Sequence, residues 1–498
     1  MAARTGAEFL QGLRADPREL WVDGERVEEV TGHPAFARTA CSIAGLYDLQ
    51  HETEHADLLT YPSPGSGERV PTSFLQPRGV EELRARGRAF KLIADVSCGM
   101  LGRSPDFMNT MFAGLAAARN YFAQNRPEFG ENIVRYYEYI RDNDLSLTHT
   151  LINPQSNRSK GVEAQADPYL AAGVVRETDN GFIVRGARML ATLAPFADEI
   201  AVFPSSFLQA SPASEKYAFA FSIPCSTPGL KLLCREPFGA RDSEWDHPLS
   251  ARFEEMDAVV VFDDVEVPWE RTFLFENVPL CNGLFRDSHA IEHMMHQSCT
   301  RMLAKAEFVL GVASLLAETI AIDGFMHVQE KLAEIINAAE ILRACVDSAE
   351  RSARPGPGGF YVPCDQPLLA MRSYFPTVYP RLIEILQLLG ASGLMMTPTH
   401  RDLESAVAPD IEKYYQAAAA AAPERIRLFR LAWEIAGSTW GSRQVLYERF
   451  FSGDPVRLSA ARFMGYDTQP YKERVRQFLD AANPSQLSTQ DSGLRTQA

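Results

Sequence analysis

Apolar positions recur at helical spacing through the first third of the chain, alternate with polar ones in the middle, and return to helical spacing in the last third. In the first part, a short amphipathic helix opening 6–20 is followed by helices over 35–49, 79–98, 105–123 and 130–144. Residues 20–27 carry Asp23-Gly24 between β-formers, which predicts a small hairpin, and the Pro/Gly/Ser run at 61–67 predicts a loop. The middle block predicts a hairpin whose two arms, 169–178 and 182–186, meet at Asn180-Gly181, with further strands over 199–204, 217–223 and 257–262. A barrel or two packed sheets would satisfy that block. Helices follow over 289–322, 324–352, 376–390, 410–421 and 424–437, the alanine run 417–422 counted as helix because alanine is the best helix former. The organisation predicted is a mainly helical domain over 1–144, a β domain over 145–277 and a helical bundle over 278–480, with a flexible polar tail over 481–498. The two long helices from 289 to 352 read as half of a four-helix bundle that pairs with another subunit.

Composition narrows the partners. A formal net charge of -15 argues against a nucleic-acid or anionic-membrane surface. Residues 1–16 lack the apolar core of a signal peptide, and no run of about 18 uncharged apolar residues occurs. The eight cysteines are scattered, with no CxxC pair, and read as reduced thiols of a cytoplasmic protein. Gly65 and Gly67 lack the third glycine and the strand–helix setting of a dinucleotide fingerprint.

Two stretches carry candidate chemistry. Leu101-Gly102-Arg103-Ser104-Pro105-Asp106-Phe107-Met108-Asn109 places a permanent cation among apolar residues, where it needs an anionic or polar partner. Leu147-Thr148-His149-Thr150-Leu151-Ile152-Asn153-Pro154-Gln155 puts a lone imidazole at a helix-to-strand junction, followed by amides and hydroxyls. Cation, imidazole and neutral donors together could hold a phenol-like oxygen beside a polar cofactor. The competing reading makes Arg103 a brace of its own fold and His149 a satisfied core histidine.

These motifs, joined by 262–265 (Phe-Asp-Asp-Val), 267–271 (Val-Pro-Trp-Glu-Arg), His296-Gln297 with Arg301 and Lys305, and Gly441-Ser442-Arg443 with Leu446-Tyr447-Glu448-Arg449, resemble the oxygenase-component family of 4-hydroxyphenylacetate 3-monooxygenase over residues 5–474. The resemblance implies an α+β, acyl-CoA dehydrogenase-like fold with an N-terminal helical domain, a central β-barrel domain and a C-terminal helical bundle, assembled as a homotetramer. It implies FAD delivered as FADH2 by a separate NAD(P)H-flavin reductase, with molecular oxygen as co-substrate. A flavin C4a-hydroperoxide would hydroxylate a phenolic substrate, free or carrier-tethered, ortho to its hydroxyl.

Residue by residue, the resemblance makes Arg103 and His149 catalytic and substrate-binding. Arg103 would favour the phenolate, and His149 would take or share its proton. Phe107, where the best-known members carry Tyr, would pack against the substrate without a hydroxyl contact. Ser205, Ser206 and Phe207 would shape the substrate pocket. Gln155, Ser156, Asn157, Arg158, Thr192, Gly441, Ser442 and Arg443 would hold the flavin. Two rivals remain. A dehydratase of the 4-hydroxybutyryl-CoA type needs iron–sulfur ligands that Cys98, His293, His296 and Cys299 supply only in part. The other is a flavin-binding scaffold without catalysis.

Overall fold

A reciprocal capping box between Thr5 and Glu8 starts α1 (Gly6–Ala15). Strands β1 (Glu19–Val22) and β2 (Glu25–Arg26) then turn on Asp23 and Gly24, at φ 53° and 80°, the left-handed pair that Asp-Gly suits. The computed structural model describes residues 3–154, 156–204, 208–239 and 243–480. The first part continues through α2 (Ala37–Leu49), α3 (Ala56–Leu59), a small hairpin of β3 (Thr60–Pro62) and β4 (Arg69–Pro71), α4 (Val80–Val96), α5 (Pro105–Ala117), α6 (Arg119–Ala123) and α7 (Pro127–Asp142). The single helix expected over 105–123 is two, because Ala118 leaves helical geometry at φ −93°, ψ 29°. Near that break Gln76 donates to the Ala113 carbonyl at 2.9 Å, a tertiary contact with no local signal.

The middle holds β5 (Leu147–Thr150), β6 (Gly173–Glu177), β7 (Gly181–Thr192), β8 (Glu199–Val202), α8 (Pro212–Glu215), β9 (Phe219–Pro224), β10 (Leu230–Cys234), β11 (Asp257–Pro268) and β12 (Thr272–Phe275). They form a six-stranded sheet, β2-β1-β10-β11-β7-β6, and a four-stranded sheet, β12-β9-β8-β5. Of the two arrangements open from the sequence, packed sheets are the one observed. The expected barrel does not close among the described residues, because β6 and β2 end one sheet and β12 and β5 the other. His149 lies within β5, which pairs in parallel with β8, rather than at a helix-to-strand junction. β1 pairs in parallel with β10, so a strand from the N-terminal part completes the central sheet.

The last part comprises α9 (Val278–Asp287), α10 (Ala290–Thr319), α11 (Met326–Arg351), α12 (Asp365–Gly390), α13 (His400–Leu403), α14 (Ala408–Tyr414), α15 (Ala422–Ala436), α16 (Thr439–Phe450), α17 (Pro455–Gly465) and α18 (Gln469–Asp480). α12 starts well before Pro376 and carries both Pro376 and Pro380 inside it. Packing against α10 and α11 compensates the hydrogen bonds that proline cannot make. The alanine run is not helical. Ala417 N donates to Ala420 O in a turn, Ala419 N donates to Thr319 O at the end of α10, and Pro423 at the first turn of α15 sets where the next helix begins. Helices α16, α17 and α18 had no counterpart in the periodicity reading. α17 and α18 have no buried residue, and the apolar positions of α18, Tyr471, Val475, Phe478 and Leu479, lie exposed in the single chain.

One apolar core joins the N-terminal helices to both sheets, and a second fills the C-terminal bundle. Met100 and Leu101, just before α5, belong to the second core, whereas Phe107 and Met108 belong to the first. The Arg103 turn therefore lies on the seam between them. Among the described residues no helix is long and apolar enough to cross a membrane.

Candidate active site

The turn before α5 delivers Arg103 to a position without a counter-ion. Its backbone N–H donates to Glu255 Oε1 at 2.8 Å, and its Nη1 donates to the Tyr447 hydroxyl at 2.5 Å and to the Gly102 carbonyl at 3.2 Å. Among the described residues no carboxylate forms an ion pair with its guanidinium, and Nε and Nη2 make no hydrogen bond. The guanidinium carbon sits 4.1 Å from the centre of the Phe107 ring, one helical turn on. Gly102 makes this possible, since a Cβ there would lie 2.2 Å from Tyr447 Cζ.

β5 brings His149 beside Phe107. The two rings lie 5.7 Å apart between centres, and Phe203 lies 6.5 Å beyond His149. Neither imidazole nitrogen has a hydrogen-bond partner among the described residues. Burial and then the Arg103 charge push its pKa down to about 3, so the ring is neutral at ordinary pH.

A chain of hydrogen bonds closes the circuit behind these three. Glu255 Oε2 accepts from Arg443 Nη1 at 2.8 Å, and Arg443 Nε and Nη2 reach Asp257 at 2.9 and 2.8 Å. Asp257 Oδ1 accepts from Thr192 Oγ1 at 2.7 Å, and Thr192 O accepts from Thr148 Oγ1 at 2.7 Å, next to His149. Loop, α16, β11, β7 and β5 are thereby tied into one frame around Arg103, Phe107 and His149. Burial disfavours charge on Asp257, but Arg443 and Arg235 offset it and hold the carboxyl below its usual range.

The structure thus brings Arg103, Phe107, His149, Thr192 and Arg443 together, the last two engaged with acids of the frame. The Thr192 hydroxyl proton is committed to Asp257, and every guanidinium nitrogen of Arg443 is engaged by Glu255 or Asp257. Gly441 is buried where a Cβ would meet the Glu434 and Ile435 carbonyls at 2.3 and 2.5 Å, so its role in this structure is close packing against α15. Ser442 is exposed and bonds back to Ser438 O at 3.0 Å. Ser156, Asn157 and Arg158 lie on an exposed loop, ordered in part by Asn157 Oδ1 accepting from Ser159 N at 3.0 Å. Gln155, Ser205, Ser206 and Phe207 lie outside the described residues.

Sequence reasoning missed Tyr447, Glu255 and Asp257 as parts of the site. Tyr447 stood inside a quoted motif. The acids Glu254, Glu255 and Asp257 beside Met256 offered only a short charged run, which a surface turn would show equally well.

A second charged cluster lies beyond Tyr447. Arg301 makes a two-pronged pair with Glu448, one prong 2.6 Å and the other 2.9 Å, and Lys305 Nζ reaches Glu448 at 2.5 Å. The thiol and imidazoles of the dehydratase reading are spent elsewhere. Cys299 Sγ donates to Leu368 O, His296 Nε2 pairs with Glu350 and His293 Nδ1 with Arg86. Among the described residues the one metal-capable grouping of side chains is Glu52, Glu54 and His55, at the surface.

Comparison with known proteins places nearly the whole chain. Family models described as the N-terminal and C-terminal parts of 4-hydroxyphenylacetate 3-hydroxylase match residues 5–274 and 281–480. The 4-hydroxyphenylacetate 3-monooxygenase oxygenase component of Thermus thermophilus is 49% identical over 477 residues, 96% of this chain and 97% of that protein. A crystal structure of such an oxygenase component, complexed with FAD and 4-hydroxyphenylacetate, superposes with a TM-score of 0.92 at 49% identity, covering 96% of this chain and 98% of that one. An archaeal 4-hydroxybutyryl-CoA dehydratase from N. maritimus shares the fold, with a TM-score of 0.85 over 96% of this chain and 95% of that one, at only 17% identity. With its framed Arg103, Phe107 and His149, and matches spanning nearly its whole length, the chain belongs to the 4-hydroxyphenylacetate 3-hydroxylase family.

Proposed function

We propose that this protein is the oxygenase component of a two-component, FADH2-dependent monooxygenase that hydroxylates a phenol ortho to its hydroxyl, using oxygen and reduced flavin from a separate NAD(P)H-dependent reductase. The observation that carries the reading is Arg103, a cation with Nε and Nη2 unengaged and no carboxylate partner among the described residues, held by Tyr447 against Phe107 and beside a neutral His149. A guanidinium so placed lowers the pKa of a phenol set against it and holds the phenolate that an electrophilic oxygen needs. His149, held neutral, orients the phenolic oxygen by hydrogen bonding and is a poor proton store. Phe107 packs against the substrate ring.

The residues present suit a flavin. Ile152, Met189 and Leu190, near Thr192, are apolar yet 37–44% exposed, a surface that a planar ring system can cover. The Thr192 oxygen keeps a lone pair to accept a ring N–H, while Ser156, Asn157 and Arg158, with Gln155, offer polar contacts on the adjoining loop. Ser205, Ser206 and Phe207 complete the substrate side of this reading. Bound reduced FAD would supply the oxygen-activating chemistry, and the chain's own task is to bind, orient and exclude water.

The protein acts, on this reading, as a cytoplasmic homotetramer. Support comes from eight free thiols and from α17 and α18, whose Val456, Phe463, Met464, Val475, Phe478 and Leu479 are 54–78% exposed, more apolar surface than a lone chain tolerates. Reduced FAD, oxygen and a panel of phenols, with products read by mass, test the function. A catechol product supports it, and flavin binding without any hydroxylated product favours the scaffold reading.

A further inference from the structure

Polar side chains from four parts of the N-terminal half meet at a cavity of about 40 Å³ between α2, α4 and the first turns of α5. None of Arg103, Phe107 and His149 lines it. Its polar wall includes Gln50 at the end of α2, Ser73 after β4, Asp106 and Asn109 of α5, and Asp144 after α7. Each of these five is at most 8% exposed. Asp106 and Asn109 stand three positions apart, which puts them on one face of the helix.

The amide donors of this wall are spent, while three of its acceptors are not. Gln50 Nε2 donates to Asp144 Oδ2 at 3.1 Å, and Asn109 Nδ2 donates to Ser73 Oγ at 2.9 Å. Gln297 Nε2, from α10, donates to Asp106 Oδ2 at 3.1 Å. Gln50 Oε1, Asn109 Oδ1 and Asp106 Oδ1 are buried and have no hydrogen bond among the described residues. Buried acceptors left so are costly, and each one in a native fold asks for a partner.

Charge narrows what that partner is. The side chains that act on the Asp106 carboxyl, Ser104 and Gln297, are neutral, and burial raises its pKa in spite of them and of the N–H groups that open α5. Arg4, the cation that acts on Asp144, is already paired with Asp198 at 2.7 Å. Water can satisfy the oxygens of such a wall, but it brings no charge. One unpaired acid among neutral amide oxygens matches a single positive charge.

We propose that this cavity binds one alkali-metal cation, potassium or sodium, with Asp106 Oδ1, Asn109 Oδ1 and Gln50 Oε1 among its ligands. Alkali ions take neutral carbonyl-type oxygens, so no grouping of acids is needed. Asp106 lies three residues after Arg103, so the ion would tie α2 to the turn that presents that arginine.

The test uses the full chain, dialysed into choline chloride and returned to potassium, sodium or choline chloride at one ionic strength. Thermal unfolding should give a Tm at least about 2 °C higher in saturating potassium or sodium chloride than in choline chloride. The ion with the larger rise is the occupant, and the salt concentration at half the rise measures its affinity. Asp106→Asn, which keeps the shape and removes the charge, should abolish the rise. Asn109→Ala keeps the charge and removes one ligand, so the half-rise should move to at least about tenfold more salt. Equal Tm values in all three salts would overturn the proposal and leave the cavity to water. So would a rise that survives both substitutions unchanged, since the ion then binds elsewhere. Should Asp106→Asn not fold, the Asn109→Ala midpoint decides, an unmoved midpoint counting against the site.

Discussion

Tyr447 stands between two guanidinium groups of opposite condition. Arg103 and Arg301 each lie with the guanidinium carbon 5.5 Å from the centre of its ring. Arg301 is fully buried, its charge matched by Glu448 in two-pronged geometry and its Nη1 also donating to the Gly99 carbonyl at 3.0 Å, with Nε alone left without a partner among the described residues. Arg103 is half-buried, has no acid partner for its guanidinium among the described residues, and spends its side-chain hydrogen bonds on a hydroxyl and a carbonyl. Two residues of the same type, sharing the aromatic neighbours Tyr447 and Phe451, thus stand in different conditions. The paired one holds the bundle to the Arg103 turn. The other keeps a charge that, on the proposed function, a bound phenolate uses.

Removing the acid from the paired side should have the largest effect. Burial alone would raise the Glu448 carboxyl, but Arg301 and Lys305 more than offset it and hold its pKa down at about 2. Glu448→Ala would leave two buried cations without a counter-ion and should cost about 3–5 kcal/mol of stability, read from thermal or denaturant unfolding. Because the folded pKa is below the unfolded one, the wild-type protein should lose this contribution as the pH falls from about 4.5 to about 2. Glu448→Ala should lack that part of the acid transition. If the variant unfolds like wild type, the contrast between the two arginines does not exist.

Arg103→Gln reverses the pattern. Stability should change by less than about 1 kcal/mol, while the hydroxylation step should lose about 2–4 kcal/mol. Oxygen uptake would then exceed product, the remainder appearing as hydrogen peroxide. A variant that hydroxylates at the wild-type rate removes Arg103 from the chemistry.

His149 sharpens the comparison through pH. Its folded pKa of about 3 is below the ordinary value, so the unfolded chain binds this proton first as the pH falls below about 6.5. Stability should decline from about 6.5 toward 3, and His149→Gln should flatten that slope by up to about 1.4 kcal/mol per pH unit. Identical slopes for the two proteins, by unfolding at stepped pH, would mean that the imidazole is not held neutral.

Tyr447→Phe removes the hydroxyl that holds Arg103 and should cost about 1 kcal/mol in hydroxylation, visible as a several-fold lower kcat/KM with Glu448 still paired. The smallest effect should come from Phe107→Tyr, a few-fold change in turnover of small 4-hydroxyphenyl acids. No change with any phenol tested would place Phe107 away from the substrate.

Arg103, Phe107 and His149 were legible in the sequence because short motifs carry them and because a fixed charge among apolar residues demands an explanation. The cavity of Gln50, Asp106 and Asn109 was not legible. In sequence Gln50 and Asn109 are polar residues in or beside helical stretches, and nothing local says that they meet Asp106 at one interior. The pairing of Arg443 with Glu255 and Asp257 was not legible either, since it joins residues 186 to 188 positions apart. The alanine run shows the reverse failure. High helix propensity there yields to a backbone contact with α10 and to the proline that starts α15.

By itself the sequence determined the three-part order of helices, strands and helices, most element positions, the family and the candidate phenol-binding pair. These depend on periodicity, turn residues and local motifs, which act over a few residues. The tertiary structure decided that the sheets pack without closing, that β1 crosses into the central sheet, and which arginines are neutralised and which are left charged. A side chain's charge state and purpose depend on the groups that folding sets around it. Here those groups come from up to 344 positions away, as between Arg103 and Tyr447, a separation that no local pattern encodes.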